Sequence, residues 1–334
     1  MSESGDYDPG PWRGHDFGAA RRDYTDHART SFTVAVSSGR TNTDLIEKEI
    51  TFKSAHPLAI ISDVTGSMGA DPAVFFSKLG YLEIEGKEYL GSDMEIVFGA
   101  TGDAYSDRYP VQIRPPAKGL NLKARLKELV IEGQGGGQIM ETYELIALYF
   151  ARKVKTPKAI HKPILILIGD ESPYDHVDKE QAKSLLGIEL TARLTTKQIF
   201  EELKEKWSVY LIRRAYGDNH GDTMDATNRK IYNTWSALLG EDHICTLPSA
   251  DRVVDIIFGI LANETDRVDY FREEVTDRQM KDKDGPEKVA TVFKSLETIH
   301  FLPRADSKPE KPAPGVSVTR RSGKAKGKPS KRLI

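Results

Sequence analysis

A single cysteine in 334 residues, Cys245, excludes an intrachain disulfide and any zinc site built from paired cysteines. It fits a reducing compartment, so a cytoplasmic protein is expected. Long apolar runs are missing too. The richest, VVDIIFGILA at 253–262, carries an aspartate and falls far short of the ~20 residues a spanning helix needs. No membrane insertion is expected. The opening MSESGDYDPGPW has no basic segment followed by an apolar one, so it does not read as a secretory signal. Neither G-x-x-x-x-G-K-[ST] nor G-x-S-x-G occurs, which removes the P-loop and the nucleophile elbow from consideration.

What remains is a composition of 39% apolar and 29% charged residues, ordinary for a globular protein. The net charge of −2 conceals an asymmetry. Residues 304–334 hold ten Lys and Arg against two Asp and Glu, a surplus of +8, and the rest of the chain carries −10. This Pro/Lys/Gly-rich end, 303–334, reads as a disordered basic tail. It could touch nucleic acid or an anionic surface weakly through phosphate neutralisation, although it offers no aromatic side chain for base stacking. A solvated tail, or one folded back on the acidic body, accounts for it equally well. Residues 1–45 are rich in Gly, Asp, Arg and Ser with no sustained period and read as a loose extension, with one strand candidate in SFTVAVSSG.

Between these ends strands and helices alternate. HPLAIISD, DMEIVFGATGD, YPVQIRP, KPILILIGDE, SVYLIRRA and HICTLP read as strands. PAVFFSKLGYLEI, NLKARLKELVIEG, METYELIALYFARKV, TTKQIFEELKEKW, ATNRKIYNTWSALLG and ADRVVDIIFGILAN read as helices. The unbroken ILILI run belongs in the centre of a parallel sheet, where both faces are buried. The fold class expected over 46–264 is therefore α/β, a doubly wound, Rossmann-like sheet flanked by helices, with a ligand site at the carboxyl ends of its strands. Residues 265–302 read as a charged helical extension.

Three strands end in acid: Asp63 in IISDVTGSMG, Asp103 in GATGD and Asp170 in LIGDE. Thr65 and Ser67 follow Asp63 at spacings of two. Oxygen ligands gathered at strand ends suit a hard cation that keeps some of its waters, Mg²⁺ or alternatively Mn²⁺. Helix capping by the hydroxyls explains the first motif alone equally well. Adjacent carboxylates on one sheet edge are harder to explain so, because they repel without a cation among them. The histidines supply no transition-metal pattern: His56, His161 and His176 lack helical i, i+4 spacing, and the His220 loop with Asp218, Asp222 and Asp225 reads as solvated. A haloacid dehalogenase-type phosphatase would need a second acid two positions after its nucleophile, where this chain has Thr65. Cys245 lies in an apolar strand and reads as core.

Asp63-x-Thr65-x-Ser67 resembles the D-x-[ST]-x-S signature of the von Willebrand factor A domain, whose metal-ion-dependent adhesion site (MIDAS) holds Mg²⁺. DVTGSMG, GDAYSD, GGGQIMETYELIALYFA and IGDESPY, in that order, are similar to bacterial and phage members of that family over roughly residues 56–262. The resemblance implies a mostly parallel sheet with one antiparallel edge strand, and Asp170 as the family's third motif. GGGQIME resembles the hemicentin-type variant of the second motif, which places Glu141 in the family's glutamate position, with Thr142 as the substitute. Asp103 is expected near the metal, with Asp107 in the same turn; the bland reading of both is a turn with Tyr105 packed beneath. Glu171 is weighted toward starting a turn. The function so implied is a metal-dependent protein-binding module, not an enzyme, which takes a carboxylate from a protein partner in an intracellular assembly or adaptor role. Coupling to an AAA+ ATPase follows by analogy with relatives. The alternatives are a Mg²⁺-dependent phosphohydrolase or nuclease built on the same carboxylates, and a nucleic-acid or structural protein acting through its tail.

Overall fold

The computed structural model describes residues 17–133, 137, 139–217, 221–280 and 283–299. The basic tail at 303–334, most of the glycine-rich loop and the Asp218–His220 part of the polar loop lie outside the described residues.

The β-branched and aliphatic runs pair as a six-stranded sheet. Its strands are β1 Pro57–Asp63, β2 Glu95–Thr101, β3 Val111–Ile113, β4 Ile164–Gly169, β5 Ser208–Arg213 and β6 Ile244–Thr246. In space the order is β6-β5-β4-β1-β2-β3. Every pair is parallel except β2 with the edge strand β3. Strand order reverses between β1 and β4, so the two lie side by side while their connections leave in opposite directions, which opens a crevice at their carboxyl ends.

Alternation along each strand divides the core in two. Leu58, Ile60, Ile96, Phe98, Ile166, Ile168, Tyr210 and Ile212 face one way. Ala59, Ile61, Val97, Leu165, Leu167, Val209 and Leu211 face the other. Each fully buried aliphatic side chain contributes roughly 1.5–3 kcal/mol, so both faces must be covered. On the first face lie α2 Asp71–Leu79, α3 Leu82–Leu90, α4 Asn121–Glu128 and α9 Val253–Glu264; on the second lie α5 Tyr143–Lys153, α6 Lys179–Leu186, α7 Thr196–Lys206 and α8 Ala226–Leu239. Tyr143–Ala151 of α5 and Val253–Ala262 of α9 are buried throughout, which explains helices that are apolar all round.

Three expectations need correction. Residues 17–37 form helix α1, Phe17–Ser37, and SFTVAVS belongs to it and not to a strand. Its buried stripe is Tyr24, Ser31 and Ala35 with the half-buried Ala28, spaced as one helix face but built from small and polar groups, so apolar periodicity missed it. Tyr24 meets Phe76 of α2 edge-on at 6.3 Å, and Ser31 Oγ accepts the Ile131 N–H at 3.0 Å. The segment expected as one helix after residue 71 is two, α2 and α3, separated at Gly80 and Tyr81. The charged extension expected at 265–302 is helical, as α10 Val268–Gln279 and α11 Gly285–Leu296, but these helices are not set apart from the domain: their Phe271, Val275, Val292 and Leu296 are buried in the same core as the sheet.

Gly259 shows how closely α11 packs, since a Cβ there would sit 2.2 Å from Leu296 Cδ1. Gly259→Val is expected to lower stability by about 1–3 kcal/mol through overpacking, measured as the shift of the urea unfolding midpoint at constant slope. An unchanged midpoint would separate α11 from the core.

Candidate metal centre

Asp63 is the last residue of β1, and the chain turns at once. The Thr65 N–H and Oγ1–H both donate to Asp63 Oδ1, at 2.9 and 2.7 Å. A short 3-10 turn, Gly66–Met68, then leads through Gly69 at φ 55° into α2. On β4 the register pairs Ser62 with Ile168, which brings Asp170 level with the turn after Asp63. Ser67 Oγ donates to Asp170 Oδ1 at 2.9 Å, and Thr65 Oγ1 lies 3.1 Å from Ser67 Oγ. Asp63, Thr65, Ser67 and Asp170 thus form one continuous chain of oxygens across the crevice. Asp63, Thr65 and Asp170 are at most 2% exposed.

That chain is short of protons. Each hydroxyl has one hydrogen, and each hydrogen is directed at a carboxylate. When both carboxylates are ionised, the contact between Thr65 and Ser67 therefore brings two lone-pair-bearing oxygens together. A proton on a carboxylate, or a cation beside the hydroxyls, relieves it.

Two further carboxylates close the site. Met140–Glu141 pairs in parallel with Ser172–Pro173, which carries Glu141 to Glu171. The two side chains hydrogen-bond, are 3% and 4% exposed, and each keeps an Oε2 that no group satisfies. Burial, then the charge of Asp170, raises Asp63 to about 7. Burial raises Asp170 to about 6 against the opposing pull of Ser67 and Arg214. Glu171 is pushed up to about 8 by burial and by Asp63, and Glu141 furthest of all, so that it holds the shared proton. Arg214 is the cation present, with Nη1 3.0 Å from Asp170 Oδ2.

Sequence reasoning missed Tyr143. Its hydroxyl donates to Asp63 Oδ2 at 3.3 Å, and Trp235 meets its ring edge-on at 5.0 Å. The signal was Gly169 in the IGD triplet: a Cβ there would lie 1.8 Å from Tyr143 Oη. Glu171, weighted toward a turn, points instead into the carboxylate group. Asp103 moves the other way. Its Oδ1 accepts from Tyr105 N and Tyr174 Oη, and its Oδ2 from Ser106 Oγ, so both of its oxygens serve to organise the turn. Asp107 Oδ2 accepts the Asp103 N–H. Tyr105 is 54% exposed and lies against Tyr174, ring centroids 4.8 Å apart and planes tilted by 57°, not beneath the turn. Thr142 Oγ1 donates to Gly102 O and accepts from Ala104 N, which commits it to the same loop. Asp222 pairs with Lys294 and Asp225 caps α8, while His56 and His161 come within 6.1 Å of each other at the opposite end of the sheet.

The residues present fit a hard cation: the donors are all oxygen, two buried carboxylate oxygens are unpartnered, and with both aspartates ionised the Thr65 and Ser67 hydroxyls have no hydrogen left for each other. Among the described residues no three His, Cys, Asp or Glu groups converge on one point. Hydroxyls and waters would have to complete the coordination. Cys245 is buried in β6, and burial pushes its thiol well above the usual range, which makes it inert core. Among the described residues no helix is long and apolar enough to cross a membrane.

No protein-family model matches the chain, and no curated protein matches it. Among solved structures it is similar to the pilus adhesin SpaC from Lactobacillus rhamnosus GG in its open conformation, at 12% identity and a TM-score of 0.45, over 67% of this chain and 31% of the adhesin. A second structure of that adhesin is similar at 13% identity and a TM-score of 0.43, over 67% of this chain and 32% of the other. The chain spans about a third of the adhesin's length.

Stability should depend on pH with a definite sign. Unfolded carboxylates titrate near 4, whereas Asp63, Asp170 and Glu171 are raised to about 7, 6 and 8. Between about pH 4 and 8 the folded state binds more protons at these three groups, so unfolding free energy falls as pH rises across that window, and Glu141, raised furthest, extends the fall beyond it. In chelator, the melting temperature is expected to drop by several degrees from pH 5.5 to 8.5, and Mg²⁺ to restore it at pH 8.5 and scarcely at 5.5. Differential scanning fluorimetry across that range checks both; a flat profile would place these carboxylates in solvent.

Proposed function

We propose that the chain is a von Willebrand A-type module with a MIDAS-like site that binds a divalent cation, Mg²⁺ or Mn²⁺, and through it a protein partner. The observation that carries this reading is the proton-poor oxygen chain Asp63–Thr65–Ser67–Asp170 across the β1/β4 crevice. The order and direction of the six strands support it. Ser67 and Thr65 would hold the ion by their hydroxyl oxygens. Asp63 and Asp170 would orient those hydroxyls, directly or through water, and Glu141 with Glu171 would supply charge from the loop side. A bound divalent ion supplies a Lewis-acidic position open to a carboxylate oxygen of the partner.

Binding rather than turnover is favoured by the state of the candidate nucleophile. Asp63 Oδ1 accepts two hydrogen bonds from Thr65 and its Oδ2 a third from Tyr143, so both oxygens are occupied within the protein. Tyr105 and Tyr174, in tilted ring contact with Tyr105 exposed, offer an aromatic contact for a partner. The lone buried thiol supports a cytoplasmic setting. An AAA+ ATPase as one component of the assembly rests on the family resemblance alone.

Isothermal titration with Mg²⁺ and Mn²⁺ tests the site. Saturable binding near one equivalent is expected for the wild type, weakened at least tenfold in Asp63→Ala and in Ser67→Ala. Capture of a protein partner should then require the metal and fail in chelator. Hydrolysis of phosphate esters that disappears in Asp63→Ala would overturn the binding reading in favour of a metal-dependent hydrolase.

A further inference from the structure

Arg214 directly follows β5, and its side chain is 9% exposed. It reaches across the crevice mouth and is held from several sides. Nη1 donates to Asp170 Oδ2 at 3.0 Å and to the carbonyls of Ala215 and Gly217 at 3.1 and 3.0 Å. Nε donates to Asp71 Oδ2 at 2.7 Å. Asp71 is the first residue of α2, the helix that the Asp63–Ser67 turn feeds. One guanidinium thus ties together the end of β4, the end of β5 and the start of α2.

The consequence lies in how Asp170 is shared. Its Oδ1 faces Ser67, within the oxygen chain, while its Oδ2 faces a guanidinium that stays protonated at every accessible pH. A buried carboxylate paired in this way is already neutralised before any metal arrives. A divalent ion drawn to the hydroxyls must attract Asp170 against Arg214 and must also sit close to a fixed positive charge, which among buried groups is a strong penalty. Arg214 is not left bare when Asp170 turns away, because Asp71 and two carbonyls still hold it. The arrangement is an exchange of cations at one carboxylate, with a second carboxylate to receive the displaced one.

Resting on the metal-site reading above, we propose that Arg214 is an internal competitor of the divalent cation for Asp170: it holds the metal-free site together and lowers its metal affinity. Removing it leaves Asp170 an unpaired buried carboxylate, so the metal-free protein loses stability while the loaded protein gains. A purely structural arginine would act in the opposite direction on binding, since losing it would loosen the crevice and weaken the metal.

The test compares Mn²⁺ titration at pH 8 for the full-length wild type, Arg214→Gln and Asp71→Asn, with thermal unfolding in chelator and in saturating Mn²⁺. Arg214→Gln is expected to bind Mn²⁺ at least tenfold more tightly, to melt lower than wild type in chelator, and to recover most of that difference with metal. Asp71→Asn leaves the guanidinium charge wholly on Asp170 and is expected to bind Mn²⁺ at least threefold more weakly, a result that stands even where Arg214→Gln does not fold. Equal or weaker binding by a folded Arg214→Gln, or unchanged binding by Asp71→Asn, would overturn the competitor role while wild-type binding leaves the metal site intact. No Mn²⁺ binding by wild type or by either variant would overturn the metal site itself, and this proposal with it.

Discussion

Two buried carboxylates placed close together are the constraint around which this protein is organised. The parallel pairing of β1 with β4 makes it unavoidable, because β1 ends in Asp63 and Asp170 directly follows β4, one residue further along the same end of the sheet. Ionised together while buried, Asp63 and Asp170 repel, and their surroundings are a set of answers to that repulsion. Thr65, Ser67 and Tyr143 direct hydroxyl hydrogens at them, Arg214 supplies a charge, and Gly169 gives up its side chain so that Tyr143 can approach. Glu141 and Glu171 then add further negative charge, which sharing one proton relieves in part.

A second buried ionic group in the same molecule shows the contrast. Between α3, α9 and α10, Asp255 is fully buried and pairs with Arg252 at 3.2 Å and Arg278 at 3.9 Å. Arg278 also reaches Glu274, and Glu85, raised to about 7 by burial, lies in its field. There the chain matches buried acids with its own arginines, as a structural network must. At the β1/β4 crevice four buried carboxylates lie together, and an arginine, Arg214, pairs with Asp170. Each group leaves carboxylate oxygens without a hydrogen-bond partner, Asp255 Oδ1 and Glu85 Oε1 in the first and Glu141 Oε2 and Glu171 Oε2 in the second, so the difference lies in how many arginines are set against the acids.

Much of the architecture was legible because its signals are local. Strand runs such as ILILIG and the largely apolar α5 and α9 carry their burial in their own composition. Asp63, Thr65, Ser67 and Asp170 were legible for the same reason, since a polar residue ending an apolar strand must lie at the sheet's edge. Helix α1 was not, because a stripe of Tyr, Ala, Ser and Ala has too little apolar contrast to register as a period. The packing of α10 and α11 was hidden by charged outer faces, although Phe271 and Leu296 are completely buried.

The roles of individual acids divide along the same line. By itself the sequence determined which residue types stand at the strand ends, and hence that acids gather at one end of the sheet, since hydrophobic periodicity and turn chemistry act over a few residues. Only the tertiary structure decided which of them face the crevice. Asp103 is drawn into its turn by Tyr174, Glu171 is turned inward beside Glu141, and Arg214 is set against Asp170 and Asp71. Each of those pairs joins segments distant in the chain, and the direction of a buried charge is set by whichever partner the fold brings within hydrogen-bond reach.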